Sequence, residues 1–89
     1  LGRGEKVSHE ALRTAKRKTV GTKETIKALE RGEVQVVYVA RDAETTVLKD
    51  LKELCKQKGI SIVEIDTMLQ LGKACGIEVG AASAAILRE

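Results

Sequence analysis

Three cations and one carboxylate share a predicted helix face in residues 21–31. At 100° per residue, Lys27 and Arg31 lie about 40° and 80° from Lys23, and Glu24 lies at about 100°. Free N–H groups and the dipole at a helix N-terminus attract phosphate, which the cations would also bind. A carboxylate among phosphates is unfavourable unless it accepts hydrogen bonds from a base edge, such as guanine N1–H and N2–H. The face therefore predicts contact with a nucleic acid, although a plain solvated face with Glu24 favouring the N-terminus also fits.

A second segment, residues 71–82, has a glycine at every fourth position from Gly72 to Gly80, between small and aliphatic side chains. Glycine allows another backbone or a flat ligand to approach the main chain closely. The order of elements excludes a P-loop, and the length and charge of the segment exclude a Gly-x-x-x-Gly membrane interface. Two interpretations stay open. One is contact with a flat base or sugar beside Ile77 and Val79, and the other is tight packing of a helix against a strand.

The other reactive residues form no catalytic or metal-binding pattern. His9 is the only histidine and lies near the N-terminus, where a surface or capping role is expected. Cys55 falls on the apolar side of a predicted helix and Cys75 lacks a plausible base, so both are expected to be core thiols. Two cysteines make neither a metal quartet nor a disulfide framework. We therefore expect no enzymatic activity, no metal and no cofactor.

The charge distribution predicts a polyanionic partner. The chain of 89 residues carries a net charge of +3, but residues 1–31 hold nine cations and four carboxylates (+5), and residues 32–89 hold seven and nine (−2). Such polarity is typical of chains that bind polyanions. The run from Lys16 to Lys18 adds to the positive end. Tyr38 is the only aromatic residue, which argues against an RNA binder that stacks bases on aromatic rings.

The elements that must position these residues follow from hydrophobic periodicity and turn signals. Helices are predicted over residues 8–16, 22–31, 44–58 and 67–75, and strands over residues 19–20, 34–40, 61–65 and 81–87. Ser8 and Thr22 are the expected caps of the first two helices, and Asp66 or Thr67 that of the fourth. Strand 34–40, helix 44–58 and strand 61–65 form a βαβ unit, whose strands should be parallel with a right-handed crossover.

The predicted fold is α/β: a single-domain three-layer α/β/α sandwich with a short mixed sheet flanked by helices. Residues 1–7 are predicted to be a flexible N-terminal segment, and residues 8–89 one domain. No apolar run approaches the roughly 20 residues of a membrane span, and no signal-peptide pattern opens the chain. We therefore expect a cytoplasmic protein without a membrane partner, and the lack of a large spare apolar face predicts a monomer.

The two segments Val20–Leu29 and Leu71–Ser83 together resemble the ribosomal protein L7Ae/L30e family of kink-turn RNA-binding proteins. The resemblance is greatest to the small members from Gram-positive bacteria and runs from about Ser8 to Leu87. It implies an α/β/α sandwich, no enzymatic activity, and recognition of kink-turns. In a kink-turn, a bulge beside tandem sheared G·A pairs bends the RNA duplex sharply.

Carried over by position, the resemblance places the start of the second helix in the groove at the G·A pairs. It implies that the backbone of Gly21 and Thr22 approaches the RNA strand. Glu24 would accept hydrogen bonds from a base edge, and Lys27 would donate to guanine O6 or a nearby phosphate. Many archaeal and eukaryotic members have Asn where this chain has Lys23. Because an ammonium donates but does not accept, the resemblance with this departure favours a phosphate contact for Lys23.

In the same family the later loop holds an extruded bulge nucleotide, which places Ile77, Glu78 and Val79 around that nucleotide. The predicted RNA-binding residues are therefore Lys16, Lys18, Gly21, Thr22, Lys23, Glu24, Lys27, Arg31, Ile77, Glu78 and Val79. The predicted partner is a structured RNA containing a kink-turn, in rRNA, a riboswitch or a ribonuclease RNA. Three alternatives stay open: a structural ribosomal protein that binds rRNA mainly by charge, the substrate-recognition domain of an RNA-modifying enzyme, and a small catalyst using Cys75.

Overall fold

The computed structural model describes residues 11–88. The predicted flexible segment 1–7, the expected cap Ser8 and the histidine His9 lie outside the described residues. The helices are α1 (residues 11–14), α2 (Thr22–Glu30), α3 (Thr45–Lys58) and α4 (Met68–Cys75), and the strands are β1 (Lys18–Val20), β2 (Val34–Ala40), β3 (Ile62–Ile65) and β4 (Ser83–Leu87). These elements match the predicted ones in order and type, and the ends within the described residues differ by at most two residues; the predicted start of the first helix, at residue 8, lies outside them.

The four strands form one mixed sheet in the order β1-β4-β2-β3. β2 and β3 are parallel and joined through α3, which confirms the predicted βαβ unit. β4 lies between β1 and β2 and is antiparallel to both, with Val20 paired to Ala84 and Val37 to Ala85. β1, β2 and β3 therefore all finish at the same end of the sheet, and β4 starts there. We call this the carboxyl end of the sheet; α2, α3 and α4 all begin at it.

Two apolar clusters, one on each face of the sheet, form the core and confirm the three layers. On one face, α1 and α4 contribute residues such as Leu12 and Leu71, which pack on Tyr38 of β2. On the other face, α2 and α3 contribute residues such as Leu29 and Leu51, which pack on neighbouring β2 positions. β2 is covered on both faces, which explains why its sequence is a nearly continuous apolar run rather than an alternating one. No helix within residues 11–88 combines the length and apolarity needed to cross a membrane.

At the helix starts, one predicted cap is wrong, and at another the structure decides between two candidates. Thr22 does not cap α2; it is the first helical residue, the N-cap is Gly21, and no side chain caps this end. For α4, the cap is Thr67 rather than Asp66, because the Thr67 hydroxyl accepts a hydrogen bond from the Gln70 N–H at 3.0 Å.

Two elements were predicted two residues too long at one end. α1 ends at residue 14 rather than at Lys16. The basic run therefore starts in the connection after α1 and ends at Lys18, the first residue of β1. β4 begins at Ser83 rather than at Ala81, because the Ala81 N–H donates to the Met68 carbonyl of α4 at 2.9 Å and not to a neighbouring strand. Apolarity alone does not reveal this helix-to-loop bond.

Candidate RNA-binding site

α2 begins at the carboxyl end of the sheet with unpaired backbone donors. Its N-cap, Gly21, has φ 97° and ψ 151°, a conformation that is essentially confined to glycine. The first intrahelical bond runs from the Thr25 N–H to the Gly21 carbonyl at 3.1 Å. Within residues 11–88, nothing caps the N–H groups of the first turn, so they remain available to an anion.

Three hydrogen bonds fix the start of α2 against the sheet. The Gly21 N–H donates to the Ser83 carbonyl at 2.8 Å, and the hydroxyls of Thr22 and Ser83 bond each other at 2.8 Å. One turn later, the buried Thr25 hydroxyl bonds that of Thr19 on β1, also at 2.8 Å. Ser83 is the first residue of β4 and directly follows the loop after α4. The two segments singled out in the sequence are therefore joined to each other at Ser83.

The exposed side chains at the start of α2 form a mixed charged surface. Lys23, Glu24 and Lys27 are all exposed. The Glu24 carboxylate lies 3.8 Å from the Lys27 ammonium, and the two side chains are 62% and 50% exposed. An exposed pair of this kind on a helix contributes only about 0.3–0.5 kcal/mol, so either group can turn to a ligand at little cost. Arg31 lies at the opposite end of α2, outside this cluster.

The structure does not bring Lys18 to this surface. Its ammonium donates to the Leu12 carbonyl at 3.2 Å, which places it on the sheet face covered by α1 and α4, whereas α2 covers the other face. Lys16 is exposed between α1 and β1 and is free to contact an RNA backbone. The geometry thus gives no support to the predicted RNA contact of Lys18, while that of Lys16 stays a prediction.

The glycines in residues 71–82 are explained by packing and backbone conformation within the chain. A Cβ at Gly72 would overlap the backbone carbonyl oxygen of Val79, so the loop after α4 folds back directly onto this helix. A Cβ at Gly80 would come within 3.1 Å of the Met68 Cβ. Gly76 has φ 86° and ends α4 in the left-handed conformation that favours glycine. Of the two interpretations left open by the sequence, tight packing accounts for Gly72 and Gly80, but α4 packs against its own following loop rather than against a strand. Gly76 is accounted for by its backbone conformation.

Two of these glycines pack within the chain, but some side chains of the loop after α4 project into solvent. Val79 is 67% exposed and Glu78 is also exposed, whereas Ile77 is half-buried against the core. Leu69, in the first turn of α4, is 53% exposed and its backbone adjoins Gly80. Val79 and Leu69 thus provide apolar surface at the carboxyl end of the sheet.

Leu69 was missed by the sequence reasoning. The signal that could have identified it is its position on the helical wheel, about 200° from the buried Leu71, where a polar residue is expected. An apolar side chain on the polar face of a helix, next to a predicted binding loop, is a candidate contact residue.

The two thiols are buried and unreactive in character. Burial raises the pKa of the Cys55 thiol, and it raises that of Cys75 as well, where the charge of Lys18 acts in the opposite direction but is the smaller effect. Because the thiolate is the nucleophile, both groups are poor ones at neutral pH. Within residues 11–88, no group of side chains could hold a metal ion.

We expect both thiols to react with iodoacetamide about tenfold or more slowly in the folded protein than in urea, because the reagent reaches them only in opened molecules. The raised pKa values mean that thiol burial stabilises the fold at pH values below the unfolded pKa. This stabilisation is lost as pH rises through the folded pKa, so the unfolding midpoint should fall at alkaline pH. Mass spectrometry and thermal unfolding measure the two effects. Equal alkylation rates in the folded and unfolded chain would contradict the buried placement.

Comparisons with known proteins agree with this architecture. An RNA-binding protein of Caldanaerobacter subterraneus is 55% identical over 69 residues, covering 78% of this chain and 84% of that protein. The large ribosomal subunit protein eL8 of Halobacterium salinarum is 46% identical over 68 residues, covering 75% of this chain and 57% of that protein. The solved structure of the Giardia lamblia 15.5kD RNA binding protein superposes with a TM-score of 0.81 at 27% identity, covering 91% of this chain and 68% of that one. Residues 3–89 match the family described as "Ribosomal protein L7Ae/L30e/S12e/Gadd45 family", and the chain belongs to this family.

Proposed function

We propose that this protein binds RNA and recognises kink-turns, without catalysing a reaction. One observation carries the proposal: the uncapped start of α2 is tied through Ser83 to the loop that exposes Val79. A charged helix end and an apolar loop thus lie next to each other at the carboxyl end of the sheet. Relatives with names that denote RNA-binding and ribosomal proteins support the RNA-binding part of this proposal.

In the proposed complex each part of the surface has a separate task. The N–H groups of the first turn of α2 and the Lys23 ammonium bind phosphates, which crowd together at a sharp bend. The Glu24 carboxylate accepts hydrogen bonds from a base edge of a G·A pair, and Lys27 donates to guanine O6 or a phosphate. Rotation of Glu24 away from Lys27 costs little, because their contact is long and exposed.

The loop after α4 supplies the second contact. An unstacked bulge base needs apolar surface, and the exposed side chains of Val79 and Leu69 offer it. Ile77 supports the loop from within, since it packs against the core rather than pointing freely into solvent. Glu78 is exposed in the same loop and would accept a hydrogen bond from this base.

The protein would act by population shift. A free RNA samples bent and extended forms. A ligand that binds the bent form more tightly raises the fraction of bent RNA, and the ratio of its affinities for the two forms sets the size of this shift. The rRNA, riboswitch or ribonuclease RNA of the cytoplasm that contains such a bend is the proposed partner. No residue of the site needs to transfer a proton or form a bond in this mechanism.

A salt titration tests the proposal against binding by charge alone. We expect the protein to prefer an RNA hairpin with a kink-turn over a plain duplex of equal length at every salt concentration, because base contacts do not depend on counterion release. Lys16→Ala should weaken both complexes to the same extent. Fluorescence anisotropy measures both affinities. A wild-type protein that binds the two RNAs equally at all salt concentrations would instead be a charge-driven ribosomal-type binder.

A further inference from the structure

The end of the molecule opposite the start of α2 carries a second concentration of positive charge. α2 and α3 end there, β2 begins there and β4 ends there. The cations at this end are Arg17, Arg31, Lys58 and Arg88, and all four are exposed. Among the described residues, none of these four side chains forms an ion pair. Their charge is thus available to an anionic partner.

A shallow pocket of about 290 Å³ lies among these cations. It is lined by Leu29, Gly32, Val34, Lys58, Ile60 and Arg88. We call it the distal pocket. Its lining combines three aliphatic side chains with two cations, and no carboxylate of the described chain belongs to it. An apolar floor beside cations suits a ligand that has both a phosphate and a sugar or base, more than it suits a small hydrated ion.

Two hydrogen bonds hold Arg17 and Arg88 in place, one between backbone groups and one from a side chain to the backbone. The Arg88 N–H donates to the Glu33 carbonyl at 2.7 Å, and the Arg17 guanidinium donates to the Arg88 carbonyl at 2.8 Å. The β1–β4 pairing thereby brings Arg17, which is 71 residues away in the sequence, next to Arg88, which lines the distal pocket. Two acids, Glu30 and Glu33, lie close to this end in the sequence, and neither lines the distal pocket. Glu30 lines a different groove between α2 and α3.

A row of cations along α2 links the two ends of the molecule. Lys23, Lys27 and Arg31 follow one another at four-residue intervals, and each interval rises about 6 Å along a helix. All three are exposed, and the residue after Arg31 is Gly32, at the distal pocket. A polyanion bound at the start of α2 therefore meets positive charge along the whole helix and again at its far end.

We propose that the distal pocket binds a phosphodiester segment of the same RNA whose kinked part contacts the start of α2. This inference rests on the proposed function and extends it to a second, sequence-independent contact. Lys58 and Arg88 neutralise phosphate, and Ile60 contacts the adjoining sugar. The contact requires an RNA arm long enough to pass along the protein.

The experiment compares a minimal kink-turn hairpin with the same hairpin carrying one extended arm. A nucleic acid duplex lengthens by roughly 3 Å per base pair, so about ten added base pairs span the 30 Å of the molecule. The test variant is the double substitution Lys58→Gln and Arg88→Gln. Its matched control is Lys49→Gln with Lys52→Gln, which removes the same charge from exposed positions of α3. The slope of log affinity against log salt is measured for each protein on each RNA.

On the extended RNA, the slope for the Lys58/Arg88 variant should be less steep by about two, because the loss of each phosphate contact reduces the slope by about one. Its affinity at low salt should fall severalfold. Its slope on the minimal hairpin should match that of the wild type. The control variant should have the wild-type slope on both RNAs. An unchanged slope on the extended RNA, or equal changes on both RNAs, would overturn the inference. Preference of the wild type for the minimal hairpin over a plain duplex reports on the kink-turn proposal alone, so the two proposals fail separately.

Discussion

Replacing Gly72 with alanine should both destabilise the fold and weaken RNA binding. A Cβ at this position would overlap the backbone carbonyl oxygen of Val79, and backbone does not move aside as a flexible side chain does. Helix propensity favours alanine over glycine by about 1 kcal/mol, but relief of the overlap requires the loop to separate from α4. Overpacking of this kind costs about 1–3 kcal/mol, so we expect a net loss of stability and a displaced Val79.

The measurements are urea unfolding and the affinity for the minimal kink-turn hairpin, which is too short to reach the distal pocket beside Gly59, both at a temperature at which the variant stays folded. Gly59→Ala is the matched control. Gly59 ends α3 with φ 68° and has open space around it, so alanine there adds backbone strain of about 1–2 kcal/mol without touching the loop. Both variants should lose stability, and only Gly72→Ala should lose RNA affinity. A Gly72→Ala protein with normal affinity would show that the position of Val79 does not matter for binding.

Glu24→Ala should abolish much of the preference for a kink-turn over a plain duplex. A good bidentate contact to a base edge discriminates by about 1–3 kcal/mol, so we expect the ratio of the two affinities to fall about tenfold or more. Removal of the carboxylate also removes a negative charge that repels phosphate, and binding to the plain duplex should therefore become slightly tighter. Opposite changes on the two RNAs are a result that simple loss of folding does not produce.

Glu30→Ala supplies the control for this substitution. It makes the same change of charge on the same helix, but Glu30 is in the last turn and lines the groove towards α3. We expect it to leave the preference for the kinked RNA unchanged. If Glu24→Ala alters the two affinities by the same factor, the carboxylate does not read a base, and its exposed contact with Lys27 is its main interaction.

Much of the fold could be predicted because local signals and tertiary packing agree. β2 was recognisable as a strand buried on both faces, and α3 as a helix with one apolar side, so the βαβ unit followed from them. The start of α2 was less predictable. Thr22 has the side chain of a capping residue, but its hydroxyl bonds Ser83, which is 61 positions away in the sequence. A contact of that separation has no signature in the local pattern.

The sequence singled out two segments that the structure joins at Ser83, but it indicated only part of their physical detail. The spacing of Gly72 and Gly80 indicated a close approach, and the sequence could not decide whether a ligand or the chain itself makes it. Lys18 looked equivalent to its basic neighbours. Strand alternation decides which side of the sheet a side chain takes, and the side that α1 covers was not readable from so short a strand.

The position of β4 also bears on the order of folding. It is the last strand in the described chain, yet it lies inside the sheet, where β1 pairs with it alone. β1 therefore cannot join the sheet before β4 has inserted, and pairings between such distant segments form slowly because a long loop must close first. Until then the Gly21–Ser83 bond is missing, and the helix end and the loop are not held together. Ability to bind RNA should thus appear late in folding, only once the C-terminal strand is in place.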